Sequence, residues 1–325
     1  MHSGYRSYAL KALKDLPFHA NDNGFSFDAD IIIQLRAADR QIKEIAIPTF
    51  YGDEICHVNG NKYAWQCIKA ALKYKCMQFE LFYDPKYDIP LRSRKYITKQ
   101  APGSIHAFMR DVRINPAVAI LDLGGGDGSA VSVAHAARGN KVVVVDYEGS
   151  CAVAGVTKIQ SDLNGSWESQ FSPHSFEVIF ALDVIEHLLS PENALRKLHN
   201  IMNIGGNLYI STGNIGFWPL RLMLLFGAFN YGRRGILDKT HTRLFTRYSF
   251  RRIIENAGFA VSETHYFGPP IADIAPRSRF LRLLNHLVAF MAKLWPGGGS
   301  FQMLFVCTRV ASLTELQQRT FPPKK

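Results

Sequence analysis

The sequence predicts an α/β chain: a doubly wound, mostly parallel sheet preceded by a smaller α+β piece. Three observations carry this. Beyond about residue 100, short apolar runs alternate with helical stretches, the pattern of parallel strands covered by helices. The run Ala117 to Leu121 ends in Asp122 and enters four glycines, Gly124, Gly125, Gly126 and Gly128, before a helix from Ser129. Asp122, Asp146, Asp162 and Asp183 fall at the carboxyl ends of four successive expected strands, where ligands of such sheets sit.

The elements follow in order. Asp84 to Arg94 is polar and proline-punctuated, and reads as a linker. The first strand enters the glycine turn, where bare main chain lets a ligand lie close and helix amides point at it. The second strand is Lys141–Val145, ending at Asp146. An acid about 20 residues past the glycines suits a ribose diol and repels a 2′-phosphate. A third strand, Thr157–Gln160, ends at Ser161-Asp162-Leu163, where Asp162 suits an adenine amino group and Leu163 its ring. A fourth, Phe176–Leu182, leads to Asp183-Val-Ile-Glu-His187. A helix begins near Pro191 and closes at Gly205-Gly206. A fifth strand spans Asn207–Thr212, and Phe301–Thr308 forms a last, antiparallel strand. Residues 312–325 read as a polar, mobile tail.

The glycine motif has a rival reading as a nicotinamide site. Its spacing is Gly-x-Gly-x-Gly, and Asp122 sits poorly beside a pyrophosphate but well beside an ammonium. Asp122-x-Gly124-x-Gly126-x-Gly128, Asp146, Asp162-Leu163, Phe180-Ala-Leu-Asp-Val-Ile-Glu-His-Leu188 and the segment His241 to Phe259 together resemble the class I S-adenosylmethionine (SAM)-dependent methyltransferases over about residues 100–310. The resemblance implies a Rossmann-like seven-stranded sheet in a domain over residues 96–311, with SAM as cofactor. It implies that Asp122, Gly124, Gly126, Gly128, Asp146, Asp162, Leu163 and Asp183 hold that cofactor. It also implies that Tyr96 to His106 forms an amino-terminal helix capping SAM. Many relatives carry cysteine at Gly125, and its loss is expected to matter little. No metal-ligand set is expected.

Residues 1–76 differ. Ser3-Gly-Tyr-Arg, Phe25-Ser-Phe-Asp-Ala-Asp30 and Ile47-Pro-Thr-Phe-Tyr-Gly-Asp-Glu54 resemble the carboxyl-terminal part of family 2 glycosyltransferases acting on polyprenyl phosphates. The resemblance implies a small fragment of the glycosyltransferase A-type fold. The sugar-nucleotide half of such enzymes is missing, and Asp30 stands where relatives carry glutamate. No sugar transfer is expected, so Asp28, Asp30, Asp53 and Glu54 read as inherited acceptor-side or structural acids.

With 325 residues and 47% apolar content, one large domain and one small one are expected. Five scattered cysteines point to reduced thiols in a cytoplasmic protein. Met1 leads straight into polar sequence, so no signal peptide is expected. The net charge is +11, and its distribution is uneven. Residues 1–113 hold 17 Lys/Arg and 12 Asp/Glu, residues 114–214 hold 5 and 10, and residues 215–325 hold 16 and 5. The cationic excess lies after the fifth strand, where it suits an anionic acceptor or an anionic membrane surface. Two large aliphatic blocks, Leu220–Phe229 and Arg279–Trp295, argue against nucleic acid as a partner. The second reads either as a membrane-interface helix with Trp295 at headgroup level, placing the protein peripherally on the inner membrane face, or as a helix packed on the sheet.

The long segment Gly216 to Lys239 reads as the acceptor cover. Methyl transfer is an in-line displacement in which positioning does most of the work, and an alcohol acceptor must also lose a proton. His241 is the first candidate base and His187 the second, with Asp238 as an orienter of His241. Arg221, Arg233, Arg234 and Arg243 are candidates for an acceptor phosphate. The N-terminal resemblance points to O-methylation of a glycan or lipid-linked sugar in surface-polysaccharide assembly, in association with a glycosyltransferase. A quinone-like lipophilic acceptor is the same-class alternative, and a non-catalytic interaction module is the different-class one.

Overall fold

In a computed structural model of the chain, the described residues are 6–46, 59–78, 83–89, 103–126, 130–147, 154–232, 234–269, 287–288 and 290–311. They fall into two units, residues 1–97 with 230–234 and residues 98–229 with 235–325.

Among its described residues the first unit is helical, with α1 (Leu10–Leu13), α2 (Phe27–Ala37) and α3 (Gly60–Gln78). The strands of the expected α+β fragment are not found among these residues. Leu16, Ile31, Leu35 and Ile89 form its core. Asp30 is buried on α2 and accepts from Lys86 Nζ at 2.7 Å and from the Tyr87 hydroxyl at 2.7 Å. A carboxylate taken out of water needs such partners, and burial beside Asp30 pushes the Tyr87 hydroxyl well above the usual tyrosine range. Gln34, also buried, donates to Asn21 Oδ1 at 2.7 Å and to the Lys86 carbonyl at 2.8 Å. The stretch read as a linker therefore contributes Lys86, Tyr87 and Ile89 to a packed unit. Its polar look came from Asp84, Lys86 and Asp88, which cap and pair locally: Asp84 accepts from the Lys86 amide at 3.1 Å and Asp88 from the Tyr83 hydroxyl at 2.6 Å. Asp28 pairs with Arg6 at 2.7 Å, while Asp53 and Glu54 lie outside the described residues.

The second unit opens with α4 (Ile105–Asp111), which the Ser104 hydroxyl caps by accepting from the Ala107 amide at 3.2 Å. There follow β1 (Ala119–Leu123), α5 (Ala130–Ala137), β2 (Lys141–Asp146), β3 (Val156–Gln160), β4 (Phe176–Leu182), α6 (Pro191–Ile201), β5 (Met202–Gly213), α7 (Trp218–Leu225), α8 (Arg247–Asn256), β6 (Phe259–Phe267) and β7 (Gln302–Arg309). The seven strands are ordered β3-β2-β1-β4-β5-β7-β6. β1 to β5 pair in parallel, and β7 runs antiparallel between β5 and β6. This is the Rossmann-like doubly wound sheet expected, with its antiparallel strand.

The alternation of side chains along the strands builds a core on each face. Leu121, Ile179, Leu208 and Phe305 meet Leu195 and Leu198 of α6 and Phe250 and Ile254 of α8 on one side. Ile120, Val144, Phe180 and Leu304 meet Met109 of α4 and Val131 of α5 on the other. Burial on both faces is why residues 178–182 of β4 read as an unbroken apolar run.

Two boundaries differ from expectation. β1 starts at Ala119, because Ala117 takes a left-handed φ of +67°, and Asp122 lies inside the strand. Gly205 and Gly206 do not end α6. They lie within β5, where Gly205 has a φ of +80° and the pairing with β4 shifts register, so the glycines serve a bulge. Residues 96–102, 127–129 and 312–325, which carried the start of the expected capping helix, Gly128 and the tail, lie outside the described residues.

Candidate active site

The site begins where β2, β1 and β4 end side by side. β1 pairs with both neighbours, Asp122 standing opposite Val144 and Phe180. The Gly124 amide carries the ladder one step into the turn by donating to the Val145 carbonyl at 2.8 Å. Gly124 has a φ of +75°, and a Cβ there would meet Val184 Cγ2 at 2.6 Å. Both the conformation and the close approach require glycine. Gly126 follows with a φ of +60°, and a Cβ there would meet nothing within 4 Å. The inner side of the turn is thus closed on the protein and its outer side is open.

Asp146, at the end of β2, accepts from the Gly126 amide through Oδ2 at 2.8 Å. Lys158 of β3 donates to the Gly126 carbonyl at 2.8 Å, so Asp146 and Lys158 hold the two polar ends of one residue. Asp122 lies under the turn at 3% exposure and accepts from Ser132 Oγ of α5 at 2.5 Å. A Cβ on Gly125 would stand 2.6 Å from Asp122 Oδ2, so a side chain in this position needs a different turn. That differs from the little effect expected of the residue's identity, because the carboxylate packs beneath this glycine.

Asp183 takes a φ of +53°, unusual for a residue with a side chain. Its carboxylate is held on both oxygens, by Ser211 Oγ of β5 at 2.9 Å and Gln302 Nε2 of β7 at 2.8 Å. The backbone bend at Asp183 sets Val184 against Gly124. Asp162 and Leu163 make their contacts elsewhere. Exposed Asp162 accepts from its own turn, through Oδ1 from the Asn164 amide at 2.9 Å. Leu163 packs on the core and accepts through its carbonyl from Trp167 Nε1 at 3.1 Å.

A cradle whose glycines can carry no Cβ on the protein side, left open at Gly126 and rimmed by Asp146, fits an adenosine cofactor with a free ribose diol.

The two histidines come together. Their ring centroids are 4.6 Å apart and nearly perpendicular. The loop carrying His241 is stitched to the loop carrying His187, with the Thr242 amide donating to the Glu186 carbonyl at 2.8 Å and Thr242 Oγ1 to the Leu188 carbonyl at 2.6 Å. His241 Nδ1 lies 2.9 Å from the Ile236 carbonyl. A carbonyl only accepts, so Nδ1 carries the proton and Nε2 is the acceptor nitrogen of the neutral ring. Asp238 does not reach His241 through its side chain. It accepts from the amide and the hydroxyl of Thr240 at 2.9 and 2.8 Å, and Thr240 Oγ1 lies 3.0 Å from His187 Nδ1. The single hydroxyl proton goes to Asp238, so His187 Nδ1 donates to Thr240 and again Nε2 is the acceptor. Burial, followed by the neighbouring His241, holds His187 below the ordinary histidine range.

The arginines behave less uniformly than expected. Arg243 pairs with Glu192 at 2.7 Å. Arg221 holds backbone, donating to the Gly216 carbonyl at 2.5 Å and the Gly297 carbonyl at 3.0 Å. Arg234 is exposed, and Arg233 lies outside the described residues. Sequence reasoning missed Ser132, Lys158, Val184, Ser211, Gln302 and Thr240. Thr240 alone left a signal, two residues after an acid in the pattern of an Asx turn.

A family model described as a methyltransferase domain matches residues 94–264. The ubiquinone biosynthesis O-methyltransferase of Pseudomonas aeruginosa (strain LESB58) is 30% identical over 103 residues, 29% of this chain and 44% of that protein. Its counterpart in Pseudomonas fluorescens (strain Pf0-1) is 31% identical over 113 residues, 32% and 48% of the two chains. The chain thus spans less than half the length of these curated relatives. Among solved structures, an S-adenosylmethionine-dependent methyltransferase from Mesorhizobium loti aligns with a TM-score of 0.44 at 18% identity over 63% of this chain and 95% of that one. The glycosyltransferase resemblance of residues 1–76 lies outside the matched family span and draws no support from it. That span takes in more than half of the chain, with the β1 turn, Asp146, Asp183 and both histidines inside it, and the chain belongs to the methyltransferase-domain family.

Proposed function

We propose that the chain methylates a hydroxyl oxygen of a lipophilic, quinone-like acceptor. The observation that carries the reading is the His187–His241 pair, whose Nδ1 atoms are both committed to local acceptors. A ring so committed offers Nε2 to a substrate proton, and His187, held below the ordinary range by burial, is neutral near pH 7. SAM, when bound, supplies an electrophilic methyl group on a positive sulfonium. The chain's own part is to hold the cofactor against the glycine turn, to orient the acceptor hydroxyl, and to take its proton at a histidine Nε2.

The lipophilic acceptor rests on two supports: the partial identity to O-methyltransferases of ubiquinone biosynthesis and the large apolar side chains exposed on α7. A glycan acceptor has less behind it, since it rested on residues 1–76, whose acids Asp28 and Asp30 are engaged in ion pairs.

The test is calorimetric titration with SAM, followed by transfer of labelled methyl. Wild type should bind SAM at micromolar levels and Asp146→Ala at least about tenfold more weakly. Label should pass to a hydroxylated benzene bearing an isoprenoid tail and not to a lipid-linked saccharide. Transfer to the saccharide alone would replace the acceptor class. SAM binding without transfer to an oxygen of either would remove the O-methylation reading.

A further inference from the structure

We infer that α7 and the helical stretch ending at Trp295 form one surface that docks on an anionic lipid bilayer. Trp218, Leu222 and Leu225 recur at the i, i+4, i+7 spacing of a helix face, and Phe226 extends it. Such a stripe ordinarily faces a core. Here α7 has no buried residue, and Leu225 and Phe226 are 78% and 77% exposed. The second block shows the same inversion, with Leu294 68% and Trp295 46% exposed. Arg221 ties the two blocks together: it donates to the carbonyls of Gly216 and Gly297, and its guanidinium lies 6.0 Å from the centre of the Trp295 ring. Two apolar blocks far apart in sequence are thereby made neighbours, as large exposed patches at interaction sites are.

Charge selects the occupant. α7 carries no acid, Arg221 and Lys293 are exposed beside the apolar side chains, and residues 215–325 hold 16 Lys/Arg against 5 Asp/Glu. A second copy would bring the same positive charge and be repelled, whereas anionic headgroups would be attracted. Trp218 and Trp295 suit the headgroup level, with Leu225 and Phe226 reaching the acyl boundary. Among the described residues no helix is long and apolar enough to cross a membrane, so the surface lies on the bilayer. The exposed face of α7 is shared with the acceptor reading, but vesicle binding is read without turnover, so the two can fail separately.

The experiment is sedimentation of the full chain with vesicles of phosphatidylcholine alone and with about 30 mol% phosphatidylglycerol, at low and high salt. Binding should require the anionic lipid, weaken with salt, and fall at least about tenfold in Leu225→Glu and in Phe226→Glu. Each variant should keep its SAM affinity, which separates loss of docking from loss of fold. Wild type left in the supernatant with anionic vesicles would overturn the inference. So would unchanged binding in both variants, or a wild-type dimer that the same substitutions dissociate.

Discussion

The donor end and the acceptor side of this sheet are built in opposite ways. At the donor end, polar groups are held by other parts of the protein: Asp122 by Ser132, Asp146 by the Gly126 amide, Asp183 by Ser211 and Gln302. After β5, α7 and the residues that follow it leave leucines and phenylalanines in water. The first region is preorganised, so a cofactor meets groups already in place and little ordering is left to be done on binding. The second has the character of a surface awaiting something outside the chain. A methyltransferase needs one donor in one pose, while its acceptor is what distinguishes it from others of its kind. Rigid polar support accordingly gathers on the donor side.

The largest effect should come from breaking the donor end. Gly124→Ala adds a Cβ into Val184 at a φ of +75° and should destabilise by about 3 kcal/mol, combining left-handed strain with overpacking. It should also weaken SAM binding by more than tenfold, roughly what such strain in a binding turn costs. Adding Val184→Ala removes the 2.6 Å contact with Cγ2 but leaves Cβ at 3.0 Å and the strained φ, so calorimetry should show partial recovery. Full recovery would mean that φ does not matter here, and the preorganised picture would fail.

Thr240→Val tests the acceptor side more finely. It cuts the tie between Asp238 and His187 and should lower kcat by about tenfold while leaving SAM affinity unchanged. The acid limb of kcat/KM, expected below the ordinary histidine value of about 6.5, should move lower still. Asp238→Asn should shift it in the same direction, because that carboxylate opposes the lowering of His187. A fall in activity with no change in the pH profile would leave Thr240 a merely structural residue.

The smallest effect concerns stability. Burial holds both His135 and His187 below the ordinary range, so below about pH 6.5 the unfolded chain takes up protons that the folded chain refuses. Their contribution is complete above that pH and is lost as pH falls through the lowered folded values. The melting temperature should be level from about pH 8 to 7 and decline below about 6.5, and His135→Gln should flatten that decline. An identical slope in the variant would assign the decline to other groups.

Much of the donor end was legible because its requirements are local. Glycines at Gly124 and Gly126 answer to φ values that other residues resist, and acids at or near the carboxyl ends of β1 to β4 follow from where ligands sit in such sheets. The antiparallel last strand was less direct, resting on resemblance, and His187 and His241 were read as alternative bases, their approach coming from the structure alone. The role of residues 84–89 was misread because a short charged stretch looks the same whether it caps a packed turn or floats in water. Gly205-Gly206 was misread because helix ends and strand bulges both call for glycine.

The sequence alone determined what short-range physics controls: the order of strands and helices, the turn after β1, the acids at or near the ends of β1 to β4, and the cationic excess beyond β5. Only the tertiary structure decided which groups meet across the chain. It turned Asp122 inward on Ser132, gave His187 its Thr240 and Asp238 partners, and laid α7 apolar side out beside Trp295. The reason is that period and propensity describe a segment's faces, whereas the neighbour each face receives depends on contacts between residues distant in the chain.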